Sequence, residues 1–300
     1  MTPVDELTRA TCSNGAPSAR NLLVTVFGDA LLPLGDSTAA SVASLTTLLG
    51  SFGVNERLVR TSLSRLVDDG LVSVRRTDRR SAYMVAPASV ELFRRADDRI
   101  YRTTTADWDG SWTLVVIDGS EATARRRAAL RQALTWAGLG VVAPNVLASP
   151  VVDAHDAAAV VSGVGGFANV LVSRSTVIET AGTLGSEELA RRCVGLDDIA
   201  DGYGRFIEQF DRFGVATARE LKPEAAWKLR TLLVGSFRRI VLSDPLLPVA
   251  LLPADWSGAA ARRVAGELYR AAFPRSQEYL ASVIGTDLVT VPAAPPPDRF

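Results

Sequence analysis

The sequence predicts an α+β protein in three parts, and three patterns of apolar residues indicate this class. Three amphipathic helices followed by a two-stranded hairpin occupy residues 18–87. A strand, a helix, two strands, a helix and a strand follow over residues 107–180, which is the order of a ferredoxin-like split βαβ unit. Residues 195–285 show mainly the 3.6-residue periodicity of helices. We therefore expect an N-terminal winged helix-turn-helix, a central ferredoxin-like α/β domain and a mostly helical C-terminal domain.

The composition indicates a folded protein without a general affinity for polyanions. The chain has 300 residues, of which 47% are hydrophobic, and this is ample for two or three packed cores. Its formal net charge is zero, so any nucleic-acid site must be a local patch. We expect residues 88–106 to form a connecting helix. Residues 1–17 and 286–300 are polar or proline-rich, and we expect them to be flexible tails.

The cysteines and the apolar segments indicate the cellular compartment of the protein. Cys12 and Cys193 have no CxxC context, so we expect a reducing compartment and no disulfide. No continuous apolar segment of a signal peptide is visible in residues 1–17. No apolar run reaches the roughly 20 residues that a membrane-spanning helix needs. We therefore expect a cytoplasmic protein without a membrane partner.

The segment 51–70 predicts a turn and a helix with well-marked ends. Gly53 permits the positive φ of a short inter-helix turn, and Asn55 is a suitable N-cap. Gly70 ends the helix as a C′ residue. At about 100° per residue, one side of this helix is apolar. The inward side consists of Val59, Leu63, Leu66 and Val67.

The opposite side of the same helix and the hairpin behind it are basic. The helix face comprises Arg57, Thr61 and Ser64 with Arg60 and Arg65 on its flanks, and the hairpin carries Arg75, Arg76, Arg79 and Arg80. Guanidinium and hydroxyl groups suit base edges in a major groove, and a basic hairpin suits phosphate or the adjacent minor groove. The alternative is a solvated helix face beside an ordinary hairpin. The upstream helices and the hairpin together favour DNA binding.

Several short segments carry a resemblance to a known family. They are FGD at 27–29, FGVNERLVRT at 52–61, RL at 65–66, DGL at 69–71, WDGSW at 108–112, DPLLP at 244–248, LP at 252–253 and WSG at 256–258. From about residue 18 to about residue 284 the chain resembles the PaaX family of bacterial repressors of phenylacetic acid catabolism. The resemblance implies a central domain similar to CRISPR-associated small nucleases. It also implies a homodimer that binds double-stranded operator DNA and is released by an aryl-CoA effector, phenylacetyl-CoA in the best-known members. Two-fold symmetry predicts a palindromic operator.

An aryl-CoA effector would need particular side chains in its site. A CoA thioester carries phosphates, which favour arginine, and an acyl end, which favours an aromatic-lined pocket. The C-terminal helices supply both types, and the candidates are Tyr203, Arg205, Trp227, Arg230 and Arg238. Tyr203 and Trp227 stand at helical spacing, which is also typical of core residues.

An enzyme is the alternative function, either a metal-dependent nuclease or a CoA-ester-processing enzyme that uses the central domain. Asp118 follows the first strand of that domain, where an acid can hold a metal in the nuclease relatives; a turn-forming Asp before Gly119 is the plainer interpretation. His155 with Asp153 and Asp156 indicates a helix-capping cluster rather than a metal site. No nucleophile–base pair is apparent, so we expect a non-enzyme without a catalytic residue, metal or cofactor. A purely architectural DNA-binding protein would not need the large apolar C-terminal region.

Overall fold

A computed structural model confirms the α+β class. It describes residues 4, 6–7, 18–77, 80–102, 108–118, 123–165, 170–175, 188–191, 195–284 and 299–300. The chain divides into two compact units. Unit 1 comprises Met1–Thr103, Tyr203–Leu242 and Gly258–Phe300, and unit 2 comprises Thr104–Gly202 and Ser243–Ser257. The helical region 195–285 therefore contributes to both units.

Unit 1 begins with a winged helix-turn-helix and a connecting helix. The elements are α1 (Ala19–Thr25), which continues as a π-helical segment (Val26–Leu31), then β1 (Ala40–Ser41), α2 (Val42–Gly50), α3 (Glu56–Asp68), β2 (Val72–Thr77), β3 (Arg80–Val85) and α4 (Val90–Tyr101). The strands form an antiparallel sheet in the order β1-β3-β2. The sequence predicts a second helix from Ser37, but α2 begins at Val42. The reason is that Ala40 and Ser41 pair with β3, and the Ser41 hydroxyl then caps α2 by accepting from the Ser44 N–H.

Unit 2 contains the predicted ferredoxin-like arrangement. Its elements are β4 (Trp112–Ile117), α5 (Ala124–Trp136), β5 (Gly140–Ala143), β6 (Val146–Ser149), α6 (Ala154–Val164) and β7 (Val170–Ser175). The sheet is antiparallel in the order β5-β6-β4-β7. One core packs α5 and α6 against the sheet around Val115 and Leu134. A second core surrounds Trp112 and Ala148 and includes Leu247 and Leu251, so the segment 243–257 helps to cover the sheet.

The remaining helices lie wholly or partly in unit 1, and the two long ones among them contact the winged helix-turn-helix. They are α7 (Leu196–Phe210), of which the part from Tyr203 belongs to unit 1, α8 (Val215–Glu220), α9 (Pro223–Val241) and α10 (Gly258–Ile284). The two long helices α9 and α10 form the centre of the unit, where Phe237, Tyr269 and Phe273 are buried. Trp227 of α9 donates its indole N–H to the carbonyl of Leu48 in α2, at 3.2 Å.

Some sequence predictions fall on residues that are not described. Arg79 of the predicted wing and most residues of the two predicted tails lie outside the described part of the chain. Arg299 and Phe300, which the sequence places in a flexible tail, are packed into unit 1, because Arg299 is bound by buried polar groups and Phe300 by aromatic rings. Within the described ranges, no helix is both long and apolar enough to cross a membrane.

Candidate functional site

Helix α3 has the ends and the inward face that its sequence predicts. The side chain of Asn55 accepts a hydrogen bond from the Leu58 N–H at 3.0 Å, which satisfies one free donor of the first turn. Gly53 in the preceding turn and Gly70 after the helix have φ values of +76° and +71°, a region that favours glycine. The inward side chains that are fully buried are Val59, Leu63 and Leu66.

The outward face of α3 is exposed to solvent. The five residues proposed to meet DNA are all exposed: Arg57, Arg60, Thr61, Ser64 and Arg65. The Arg60 Nε donates to Glu56 at 2.7 Å, and the Thr61 hydroxyl donates to the Arg57 carbonyl at 2.9 Å. Among the described residues, Arg57 and Arg65 have no ion-pair partner, so both guanidinium groups can contact DNA without first breaking an ion pair.

Leu58 is a member of this face that the sequence reasoning missed. Its side chain is 50% exposed beside Arg57, although it belongs to a helix with a well-formed apolar side. An exposed aliphatic side chain at the start of such a helix suits contact with a thymine methyl group. The available signal was the helical wheel, because Leu58 falls outside the inward arc of Val59 and Leu63.

The predicted wing is the hairpin of β2 and β3. The strands are paired along their whole length, from Val72 with Val85 to Thr77 with Arg80. Arg75 and Arg76 are exposed, and their side chains point to opposite faces of β2 because successive residues of a strand alternate. The side chain of Arg80, like Arg79, lies outside the described residues.

A buried ionic cluster joins the winged helix-turn-helix to the helices behind it. Asp29 of the π-helical segment accepts hydrogen bonds from the hydroxyls of Tyr101 at 2.6 Å and Tyr269 at 2.9 Å. It also accepts from Arg230 at 2.8 Å and Arg299 at 2.9 Å. Burial alone would raise the pKa of Asp29, but the two guanidinium groups and the hydrogen bonds lower it below its usual value. The carboxylate is therefore charged and links α4, α9 and α10 to the first helix.

The five residues predicted to bind an effector lie in different environments. Tyr203 is buried against Phe237, with ring centroids 6.3 Å apart. Trp227 is buried between α9 and α2, and Arg230 belongs to the Asp29 cluster. Arg205 is exposed on α7. Arg238 is half-buried, and it is the one of these five residues that lines a cavity in unit 1.

This cavity lies inside unit 1, between α1, α4 and α9, and has a volume of about 270 Å³. Its walls are mostly apolar, and the apolar lining includes Val24, Leu92, Phe93, Ala96, Ile100, Val234 and Leu242. Arg20 and Arg238 contribute positive charge, while Asp97 and Tyr101 line another part of the wall. Most of the lining residues lie on α1 and α4, and no periodicity in the sequence connects these helices with α9.

Arg238 is the polar group that defines the chemistry of the cavity. Its Nε is buried and has no hydrogen-bond partner among the residues that the structure describes. Burial lowers the pKa of Arg238, and the positive charges of Arg239 and Arg20 lower it further. A ligand with an anionic or strongly accepting group would relieve both effects, because it would supply the missing acceptor and a compensating charge.

In the central domain, the residues around His155 cap a helix. Asp153 accepts a hydrogen bond from the backbone N–H of His155 at 2.7 Å and so caps α6. Its other oxygen accepts from Arg174 at 3.0 Å. Asp118 is exposed at the end of β4. Among the described residues, no group of three His, Cys, Asp or Glu side chains is placed to hold a metal ion.

Three models of one protein family match successive segments that together make up most of the chain. The model described as "PaaX-like protein" matches residues 18–88. The model of the "PaaX protein central Cas2-like domain" matches residues 105–184, and that of the "PaaX-like protein C-terminal domain" matches residues 195–282. The three matches correspond in order to the winged helix-turn-helix, the ferredoxin-like arrangement and the C-terminal helices.

Comparisons with individual proteins agree with the family models. The chain is 32% identical over 284 residues to "Transcriptional repressor PaaX" of Escherichia coli strain K12, covering 93% of this chain and 89% of that protein. Among solved structures, "Uncharacterized protein Rv0674 from Mycobacterium tuberculosis" is similar with a TM-score of 0.56 and 24% identity. The likeness covers 89% of this chain and 99% of that one, and at this identity it supports the fold.

Proposed function

The chain belongs to the PaaX family of transcriptional regulators, and we propose that it is a DNA-binding repressor of phenylacetate-type aromatic acid catabolism, released from its operator by an aryl-CoA effector. One observation carries the DNA-binding part. A helix capped at both ends presents Arg57, Thr61 and Arg65 to solvent, and a hairpin with two exposed arginines follows it. Such a protein acts in the cytoplasm, where its DNA is.

Helix α3 and the wing would make different kinds of contact with DNA. Arg57 lies in the first turn of α3, which is the part of a recognition helix that meets base edges in the major groove. A bidentate contact of arginine with guanine distinguishes bases, whereas a contact with phosphate does not. Arg76 on the wing would bind the phosphate backbone and set the salt dependence of the affinity. We expect two copies to bind a palindromic site with half-sites an integral number of helical turns apart.

The DNA-binding proposal is tested by footprinting the DNA upstream of the coding sequence and then titrating the protected duplex at several salt concentrations. Arg57→Ala should cost about 1–3 kcal/mol of binding and relax the preference at one base pair. Arg76→Ala should weaken binding to all sequences. It should also make the salt slope, which is the slope of log affinity against log salt concentration, shallower by about one.

The matched control is Arg125→Ala, which removes an exposed arginine from α5 of the central domain. This variant should bind the duplex as the parent protein does. If Arg57→Ala, Arg76→Ala and Arg125→Ala all bind with the parent affinity and salt slope, α3 and the wing are not the DNA-binding surface.

The cavity between α1, α4 and α9 supports the effector part of the proposal. An apolar space of about 270 Å³ is large enough for an aryl-acyl group but not for a whole CoA molecule. The aryl group would therefore lie in the cavity, while the acceptor groups of the ligand would meet Arg238 and Arg20. The Tyr203, Trp227 and Arg230 side chains would act through the core that surrounds the cavity rather than by contact, and Arg205 has no assigned role in this site.

Calorimetric titration with phenylacetyl-CoA tests this assignment. Arg238→Gln should reduce the affinity by about 10- to 150-fold, since a hydrogen bond with a charged group contributes roughly 1.5–3 kcal/mol. The neighbouring Arg239→Gln is the control, because Arg239 is exposed and does not line the cavity. Equal loss in both variants would place the ligand elsewhere, and no binding to the parent protein would exclude phenylacetyl-CoA as the effector.

A further inference from the structure

The last two residues of the sequence occupy a site of their own inside unit 1. Phe300 lies among three aromatic rings, with centroid distances of 5.0 Å to Tyr101, 5.3 Å to Tyr269 and 5.9 Å to Phe237. Its backbone N–H donates to the carbonyl of Tyr101 at 3.1 Å, and Arg270 donates to its backbone oxygen. The ring is therefore held by packing, and the backbone is held by directed hydrogen bonds.

Helix α10 is shaped to admit this ring. Gly266 lies in the middle of α10, where glycine is a poorer helix former than alanine. A Cβ at this position would lie 3.0 Å from the Cβ of Phe300 and 3.3 Å from its Cγ, which is closer than carbon atoms normally approach. The glycine thus makes room for Phe300, since its backbone does not adopt a positive φ.

Arg299 is bound as specifically as Phe300. One of its terminal nitrogens donates to the Asp29 carboxylate at 2.9 Å, the Asp29 carbonyl at 2.9 Å and the Tyr269 hydroxyl at 3.1 Å. The other donates to Asp97, and the guanidinium carbon lies 4.1 Å from the centroid of the Tyr101 ring. Only 3% of the Arg299 side chain is exposed, so this is a buried cation with several partners.

We propose that this part of unit 1 is a binding site for a basic–aromatic dipeptide, that the chain fills it with its own Arg299–Phe300, and that its occupancy sets the affinity of the effector cavity. The second half of the proposal rests on the proposed function. The first half concerns only the dipeptide and stands without it.

The coupling between the two sites follows from the residues that they share. Asp97 and Tyr101, which contact Arg299, also line the effector cavity. Withdrawal of Arg299 removes one positive charge from this shared wall, so the cavity becomes more negative. The affinity for an anionic ligand should then fall by on the order of tenfold. Withdrawal of Phe300 also removes a ring that supports Tyr101.

The first experiment compares the full chain with a chain that ends at residue 298, each with and without Gly266→Ala. Removal of the dipeptide should lower the melting temperature by about 5 °C or more, since it breaks a buried, paired charge. Gly266→Ala should lower the melting temperature of the full chain, where the new Cβ meets Phe300. In the shortened chain the same substitution should raise it by about 2–4 °C, because alanine is the better helix former. The same sign in both backgrounds would overturn the packing assignment.

The second experiment supplies the dipeptide from solution. N-acetyl-Arg-Phe at several millimolar should restore part of the lost melting temperature of the shortened chain, because a tethered segment acts at a millimolar effective concentration. N-acetyl-Arg-Ala and N-acetyl-Gln-Phe should have a much smaller effect. If all three peptides act alike, or none acts, the dipeptide site is disproved.

The third experiment measures phenylacetyl-CoA affinity in Arg299→Gln and in Arg299→Gln with Asp97→Asn. The single variant should bind about tenfold more weakly, and the double variant should recover most of the loss because the net charge of the wall is restored. If the parent protein binds phenylacetyl-CoA and Arg299→Gln binds it equally well, the coupling is refuted. If the parent protein does not bind it, the proposed effector fails, and the first two experiments still decide the dipeptide site.

Discussion

Asp29→Asn is the substitution that most directly tests how unit 1 is held together. The carboxylate is buried beside Arg230, and their side chains are only 4% and 1% exposed, with 2.8 Å between Nε and Oδ2. Arg299 and two tyrosine hydroxyls also donate to it. Asparagine has the same shape but no charge, so both guanidinium groups would stay buried without their shared counter-ion.

The expected loss of stability follows from burial rather than from distance. Removal of one partner from a buried ion pair costs about 3–5 kcal/mol, because the remaining charge stays away from water. The ion pair between Arg94 and Asp36 is a matched control: the atoms are 2.7 Å apart, but the side chains are 56% and 54% exposed. Asp36→Asn should therefore cost less than about 1 kcal/mol.

The assay is urea denaturation of the two variants and the parent, with hydrogen exchange of peptides from α9 as the probe of unit 1. This probe reports the free energy of opening for the helix that carries Arg230. Asp29→Asn should lower it by about 3–5 kcal/mol and Asp36→Asn by less than about 1 kcal/mol. Equal losses in the two variants would refute the view that burial makes the Asp29 cluster the main polar link in unit 1.

Four further predictions concern the recognition helix, the pH dependence of stability and catalysis. Asn55→Ala should destabilise the start of α3 by about 1 kcal/mol and weaken operator binding, as measured by hydrogen exchange and by titration of the duplex. The pKa of Asp29 is lower in the folded state than its unfolded value of about 3.9. The charged carboxylate therefore stabilises the fold above about pH 4, and this stabilisation is lost as the pH falls further. The difference in stability between the parent and Asp29→Asn should narrow below about pH 4. Burial raises the pKa of Tyr269 to about 12, so the parent should lose stability between about pH 10 and 12 in urea denaturation, and Tyr269→Phe should lose less. Incubation with Mg²⁺ or Mn²⁺ and nucleic acid should give no cleavage, and cleavage that Asp118→Ala abolishes would favour the nuclease alternative instead.

The sequence predicted the features that depend on neighbours along the chain. The limits of α3 follow from Asn55 and Gly70, and its exposed basic face follows from helical spacing. The Asp29 cluster could not be predicted in this way, because its partners lie 201 and 270 residues away in the sequence. A charged residue between Phe27 and Leu31 was the available signal. Periodicity shows that such a residue faces the core, but it does not show which distant arginine will pair with it.

The position of the cavity explains how a ligand could act on DNA binding without touching the DNA-binding face. Helix α1 lines the cavity on one side and packs against the recognition helix α3 on the other. A ligand shifts the balance between two arrangements only by the difference in its affinity for them, and a coupling of about 1–3 kcal/mol corresponds to roughly 5- to 150-fold in operator affinity. One charge-assisted hydrogen bond to Arg238, made in one arrangement and not in the other, is of that size. The Asp29 cluster would then determine which arrangement prevails without ligand, because it ties α1 to α4, α9 and α10 through charges that cannot be left buried and unpaired.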